Sequence, residues 1–135
     1  MDWKNCISKS LSKKVKLDSN LIESLIKSAE KKIEAEKRLP NSLPEPKISL
    51  VYDALRTLLE ALALSKGFKI YNHECYVSFL KEILNESGLG DNFDKYRRLR
   101  NSINYYGKEI NEKEAKEIIK DILQLIKIIQ TKLNA

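Results

Sequence analysis

Lys47–Gly67, KISLVYDALRTLLEALALSKG, decides the fold. Ile48, Val51, Tyr52, Leu55, Leu58, Leu59 and Leu62 recur at three- and four-residue steps, and only Asp53, Arg56, Thr57 and Glu60 interrupt an otherwise apolar surface. A helix patterned in this way is central and has to be covered by other elements on most sides. Gly67, free to take a positive φ, suits the position just past its end.

The flanking segments supply the cover. On the N-terminal side, Pro40-Asn-Ser-Leu-Pro-Glu-Pro46 lacks three backbone donors and predicts an extended connector, with the central helix starting near Lys47. Before it, Leu21, Leu25, Ala29 and Ile33 form one stripe that stops at Leu39-Pro40, with Asn20 and Glu23 at capping-box spacing. On the C-terminal side, Asn72 fits as the N-cap of a helix carrying His73, Tyr76, Val77, Leu80 and Leu84. Gly88 and Gly90 are expected to end that helix, Asp91 to cap a helix over residues 92–106, and Gly107 to break it. Asn111 and Glu114 then make a capping box for a last helix. Its stripe of Ala115, Ile118, Ile119, Ile122, Leu125, Ile126, Ile129 and Leu133, with Leu123 and Ile128 beside it, is wide enough to be buried against more than one neighbour, a second copy of the chain among them. The expected fold is therefore all-α: one domain over residues 1–135, an up-and-down bundle of about five helices, dimeric. Residues 1–16 stand apart, readable either as a short helix around Trp3 and Ile7 or as a mobile basic arm.

Bulk composition agrees with helix. With 42% hydrophobic and 33% charged residues, but only four Gly and three Pro, the chain fits neither a turn-rich β-sandwich nor a long disordered tail. The net charge of +6 is unevenly spread. Lys4, Lys9, Lys13, Lys14 and Lys16 face only Asp2 in the first sixteen residues, and Arg97, Arg98 and Arg100 crowd four positions near the C-terminal third. Such segregation favours an anionic partner. Cys6 and Cys75 have no His or Cys at metal-ligand spacing, so no metal site is encoded and no cofactor is implied. Met1–Ser10 is too short and polar for a secretory leader, and no apolar run reaches the ~20 residues of a membrane span. A reducing cytoplasm and no membrane are the corresponding expectations.

The chemistry concentrates on residues 92–106. At 100° per residue, Tyr96, Leu99, Ile103 and Tyr106 share one face, continued by Ile110, and this face reads as core. Opposite it fall Arg97, Arg100, Asn101 and Asn104, with Tyr105 at the margin and Lys108 beyond Gly107. Two guanidinium forks and two amides on one strip form a receptor for phosphate oxygens or another acidic group, and no acid stands four residues from either Arg97 or Arg100. A solvated helix face is the alternative. His73, the chain's one histidine, sits at a helix N-terminus, where the dipole disfavours its charged form. It can serve as a neutral acceptor or base, or simply pack there. Asp53, Arg56 and Glu60 share a strip of the central helix and can either brace the arginines or pair among themselves.

Leu55–Leu84, LRTLLEALALSKGFKIYNHECYVSFLKEIL, followed by Tyr96–Ile110, YRRLRNSINYYGKEI, resembles the HEPN superfamily of small prokaryotic α-helical proteins. The resemblance extends over residues 21–130 and rests on helix order, the Lys66-Gly67 break, the place of His73 and the Arg100-Asn101 pair. It implies a dimeric bundle in which two copies of an Arg-(four to six residues)-His motif face a shared cleft. It also implies metal-independent ribonuclease activity, often as a toxin, or binding of RNA or nucleotide, in many members beside a minimal nucleotidyltransferase partner. Arg100 and Asn101 match the start of the motif, but Tyr105, Tyr106 or Gly107 stands where the His belongs. A tyrosine with pKa of about 10 is only ~0.1% ionised at pH 7, which makes Tyr105 a poor base unless neighbouring charges shift it.

Three functions follow. The first is an RNA- or nucleotide-binding module using Arg97, Arg100, Asn101, Asn104 and Lys108. The second is an endoribonuclease in which Arg100 stabilises the transition state and Tyr105 or His73 handles the proton. The third is a regulatory subunit that turns the same strip towards acidic side chains of another protein.

Overall fold

A computed structural model describes all 135 residues. The elements in chain order are α1 (Trp3–Ser8), β1 (Ser12–Lys14), α2 (Ser19–Arg38), α3 (Pro44–Ser65), β2 (Phe68–Ile70), α4 (His73–Ser78) with a π-helical continuation over Phe79–Ile83, α5 (Ser87–Tyr106) and α6 (Glu112–Leu133). The protein is a helical bundle with one two-stranded ribbon.

The central helix is α3, as its composition requires. Val51, Tyr52, Ala54, Leu55, Leu58, Leu59 and Leu62 are all buried, and α3 is packed by α2, α5, α6 and β2. From α6 come Ala115, Ile119, Ile122, Leu125, Ile126 and Ile129. From the α4–α5 side come Tyr76, Phe79, Leu80 and Phe93. Tyr52, Tyr76 and Phe93 meet as an aromatic trio, Tyr52 stacked on Phe93 with centroids 5.7 Å apart and Tyr76 edge-on to it at 6.1 Å. No helix is long and apolar enough to cross a membrane.

Several boundaries differ from the sequence expectation, each for a local reason. Helix α3 begins at Pro44 and not near Lys47, because the first turn of a helix has no intrahelical use for its N–H groups and so tolerates Pro44 and Pro46. Only Pro40–Leu43 remains as connector. The cap of α2 is Asp18, whose carboxylate accepts from the Leu21 N–H at 3.0 Å, and not Asn20. Helix α5 starts at Ser87, so Gly88 and Gly90 lie inside its first turn and Asp91 caps nothing. The turn before it is made by Asn85 at φ +55°. Gly90 serves close approach: a Cβ there would stand 2.6 Å from the Lys81 side chain and 3.3 Å from the Val77 carbonyl. The caps Asn72 and Asn111 and the left-handed Gly67 and Gly107 occupy their expected places.

The N-terminal segment is no mobile arm. Cys6 is disulfide-bonded to Cys75, and β1 pairs antiparallel with β2 in the register Ser12 with Ile70, Lys13 with Lys69 and Lys14 with Phe68. Trp3 packs on Phe68 and Phe79 with centroids 5.2 and 5.9 Å away. Spacing alone gave no hint of the cysteine pair, and a structural disulfide persists in oxidising surroundings, so the bond lends nothing to the expectation of a reducing cytoplasm.

The α2–α3 hairpin is closed by a buried ion pair. Lys47 Nζ lies 3.1 Å from Glu36 Oε1, with both side chains less than a tenth exposed. The same ammonium donates to the carbonyls of Glu36 at 2.8 Å and Leu39 at 3.0 Å, satisfying acceptors that the end of α2 would otherwise leave open.

Candidate functional site

Three elements converge on one polar cluster. Helix α3 contributes Tyr52, Asp53, Arg56 and Glu60 at one-turn spacing, α5 contributes Asp94, Arg97 and Arg100, and α4 contributes His73 and Tyr76. The cluster caps the aromatic trio of the core, so its floor is apolar and its rim is charged.

His73 and Arg100 come together through Tyr52. The Tyr52 hydroxyl is 3.3 Å from His73 Nδ1, and the Arg100 guanidinium carbon stands 5.6 Å from the centre of the same phenol ring. This is a cation–π contact on one end of a tyrosine whose other end is hydrogen-bonded to an imidazole. Burial lowers the pKa of His73 from its ordinary value, and the charges of Arg56, Arg100 and Arg97 lower it further against the opposing pull of Asp53. At neutral pH the imidazole is therefore uncharged. Burial raises the Tyr52 hydroxyl, with the arginines opposing, so it remains protonated. The Tyr76 hydroxyl is raised in the same way by burial and by Glu60, against the opposing influence of the adjacent Arg56.

The arginines do not stand free on a solvated strip as the sequence reading has it. Arg97 donates from Nε and Nη2 to Asp94 Oδ1 at 3.0 and 2.7 Å, and Arg98 donates from Nε to Asp94 Oδ2 at 2.9 Å. Burial works to raise the Asp94 carboxyl, but the hydrogen bonds from Arg97 and Arg98 prevail and hold it below its ordinary value. Arg56 pairs with Glu60 at 3.2 Å. Arg100 differs from all of these. Its contact with Asp53 is 3.5 Å, too long for a good charge-assisted hydrogen bond, and its buried Nε has no partner at all. Around the cluster four guanidiniums, Arg56, Arg97, Arg98 and Arg100, meet three carboxylates, Asp53, Glu60 and Asp94. The positive excess falls where Arg100 is under-paired.

The remaining strip residues lie apart from this cluster. Asn101 is half-buried, and Asn104 is exposed and accepts from Ser49 Oγ at 3.4 Å. Lys108 and Tyr105 are exposed, Tyr105 by 72%, so neither belongs to the His73–Arg100 pair. Tyr106, assigned to the core face, is 85% exposed: it is the last residue of α5, beside the left-handed Gly107 that ends the helix. Tyr96, the true core residue of that face, donates to Asp121 at 2.9 Å and has its hydroxyl pushed up to about 12 by burial and by that carboxylate. No group of three or more His, Cys, Asp or Glu side chains is placed to hold a metal ion.

Two site residues escaped the sequence reading. Asp94 stands three residues before Arg97 and four before Arg98, a spacing that encodes the clamp once i−3 neighbours are counted. Tyr52 read as core, which it is, and nothing local signals that its hydroxyl reaches His73. No protein-family model matches the chain, and no curated protein matches it.

Proposed function

We propose that this protein is a HEPN-type binding module whose Arg100 cluster receives a phosphate of RNA or of a nucleotide. The reading is carried by the under-paired Arg100: its Nη2 meets only the Asp53 carboxylate, at 3.5 Å, which leaves the outer Nη donors of the fork for an incoming oxyanion, while the buried Nε faces inward and takes no part. Tyr52, itself stacked on Phe93, lies under the guanidinium, and the half-buried setting strengthens each charge-assisted bond made there. Asn101, Asn104 and Lys108 extend polar contacts along α5 towards its exposed end. In this reading two copies meet through the outer side of α6, where Ile128 is 45% exposed, and a nucleotidyltransferase is a fitting partner.

Binding of a short single-stranded RNA is expected to weaken with salt at about −0.7 in log–log slope per phosphate contact, and Arg100→Ala to reduce that slope by about 0.7. A salt-independent interaction would instead favour the regulatory reading, with an acidic protein as partner. Sedimentation at micromolar concentration should give twice 15.6 kDa, and a mass of 15.6 kDa would remove the dimer.

The approach of His73 to Arg100 favours a second reading, metal-independent RNA cleavage. A neutral imidazole can take the 2′-hydroxyl proton as that oxygen attacks phosphorus, the P–O5′ bond breaks to leave a 2′,3′-cyclic phosphate, and the departing 5′-oxygen takes a proton from water, while Arg100 stabilises charge on the phosphorane-like transition state. In that scheme His73 replaces Tyr105 as the base. Labelled RNA incubated with chelator should then be cut by the wild type and not by Arg100→Ala or His73→Ala, with a rate that rises with pH until His73 is fully deprotonated. Equal cleavage by all three would exclude it.

A further inference from the structure

The basic N-terminal segment has a defined place that the Arg100 cluster does not account for. In the β1–β2 ribbon, Lys13 lies directly opposite Lys69. Like charges in directly opposed positions of an antiparallel pair destabilise it. The Tyr71 N–H extends the ladder to the Leu11 carbonyl at 2.8 Å, which puts Tyr71 on the same side of the ribbon as Lys69 and Lys13 by the two-residue alternation of strands. The opposite side turns Ser12 and Ile70 into the core.

On the outward side the two ammonium groups stand 5.8 Å (Lys13) and 5.7 Å (Lys69) from the centre of the Tyr71 ring, and Tyr71 is 51% exposed. No carboxylate forms an ion pair with Lys13, Lys69 or the neighbouring Lys9, Lys14, Lys16 and Lys66. The ribbon is fastened beneath by Trp3 against Phe68 and by the Cys6–Cys75 bond, so these groups are held and not trailing.

We infer that the outward face of the β1–β2 ribbon is a binding surface for single-stranded nucleic acid, with a base stacked on Tyr71 and flanking phosphates on Lys13 and Lys69. Both ammonium groups lie over the Tyr71 ring in cation–π contact and neither has a carboxylate partner, so a base can stack on the half-exposed ring as the lysines turn to its flanking phosphates, a combination that needs no sequence readout. The cost of opposing Lys13 and Lys69 is offset when each of them holds one of the flanking phosphates. The surface does not depend on Arg100 holding an anion. Tyr71 is nevertheless only two residues from His73, so a bound strand could reach both places.

The experiment uses the full chain and a fluorescent oligouridylate of about twelve nucleotides, long enough to cover one such platform. Lys13→Ala/Lys69→Ala should weaken binding roughly tenfold and flatten the salt slope by about 1.4, two contacts' worth. Tyr71→Ala should weaken it roughly 5- to 100-fold with the slope unchanged, and Tyr71→Phe should restore it. Lys69→Glu supplies the missing cross-strand ion pair, so it should raise Tm by on the order of 1–3 °C while lowering affinity, a divergence that a purely structural role would not give.

Repeating the lysine substitutions in an Arg100→Ala background separates the two sites. If Arg100→Ala alone abolishes binding and the lysine pair changes nothing, the ribbon inference fails and the Arg100 reading stands. If the lysine pair abolishes binding and Arg100→Ala has no effect, the reverse holds. Binding to phosphatidylserine-containing vesicles with no binding of oligouridylate would also overturn the inference, as would equal affinities for Tyr71→Ala and Tyr71→Phe.

Discussion

Two side chains of the cluster carry pH signatures of opposite origin. His73 has a folded pKa below its ordinary 6.5, so the unfolded chain binds its proton more readily than the native protein does. Its contribution to stability is fully present above pH 6.5 and is lost as pH falls towards the lowered value. Thermal unfolding between pH 7.5 and about 5 should therefore show a decline that His73→Gln flattens. Asp94 is likewise lowered, by its arginine hydrogen bonds, and its stabilisation is present above the ordinary value of 3.8 and lost as pH falls below it. The decline it causes lies at more acid pH and should survive in His73→Gln but diminish in Asp94→Asn. At this scale the sequence marks candidate residues but not how they are paired. Arg97, Arg100 and His73 can be picked out from charge and rarity, but that Tyr52 joins His73 to Arg100 depends on how α4 is laid against α3.

Among the elements, the hairpin of α2 and α3 offers the clearest test. Lys47 is buried with Glu36 and also closes two carbonyls at the end of α2, so Lys47→Ala leaves a buried carboxylate and open acceptors. The loss should be about 3–5 kcal/mol in denaturant unfolding, whereas Glu36→Leu with Lys47→Met should recover much of it. Helix α6 is capped by Asn111, which accepts from the Glu114 N–H at 2.8 Å, and Asn111→Ala should cost about 1 kcal/mol. Helices were legible in the sequence because Leu55, Leu58, Leu59 and Leu62 can be satisfied in only one way. Their starts were less so. Pro44 and Gly90 belong to types that usually break helices, and each sits in a first turn where its defect has no cost or where its missing side chain is needed for packing. The ribbon was illegible for a different reason: three-residue strands such as Ser12–Lys14 and Phe68–Ile70 show too little alternation to read, and their pairing spans more than fifty intervening residues.

At the scale of the molecule, α3 organises the core, and the N-terminal segment is tied by one covalent bond to α4, which packs beside that core. Cys6 and Cys75 are 69 positions apart, and in the chain-entropy account a loop of that size is worth about 4 kcal/mol. Cys6→Ser/Cys75→Ser should lower stability by up to that amount and release α1 and β1 first, since their own apolar burial is small. The bond also divides the chain into a ring and a tail. The Pro40–Leu43 connector lies inside the ring, and Gly107–Lys108 lies in the tail. A protease that nicks the connector should leave both fragments migrating as one band on a gel until a thiol is added. A cut after Lys108 should shed α6 with or without reductant.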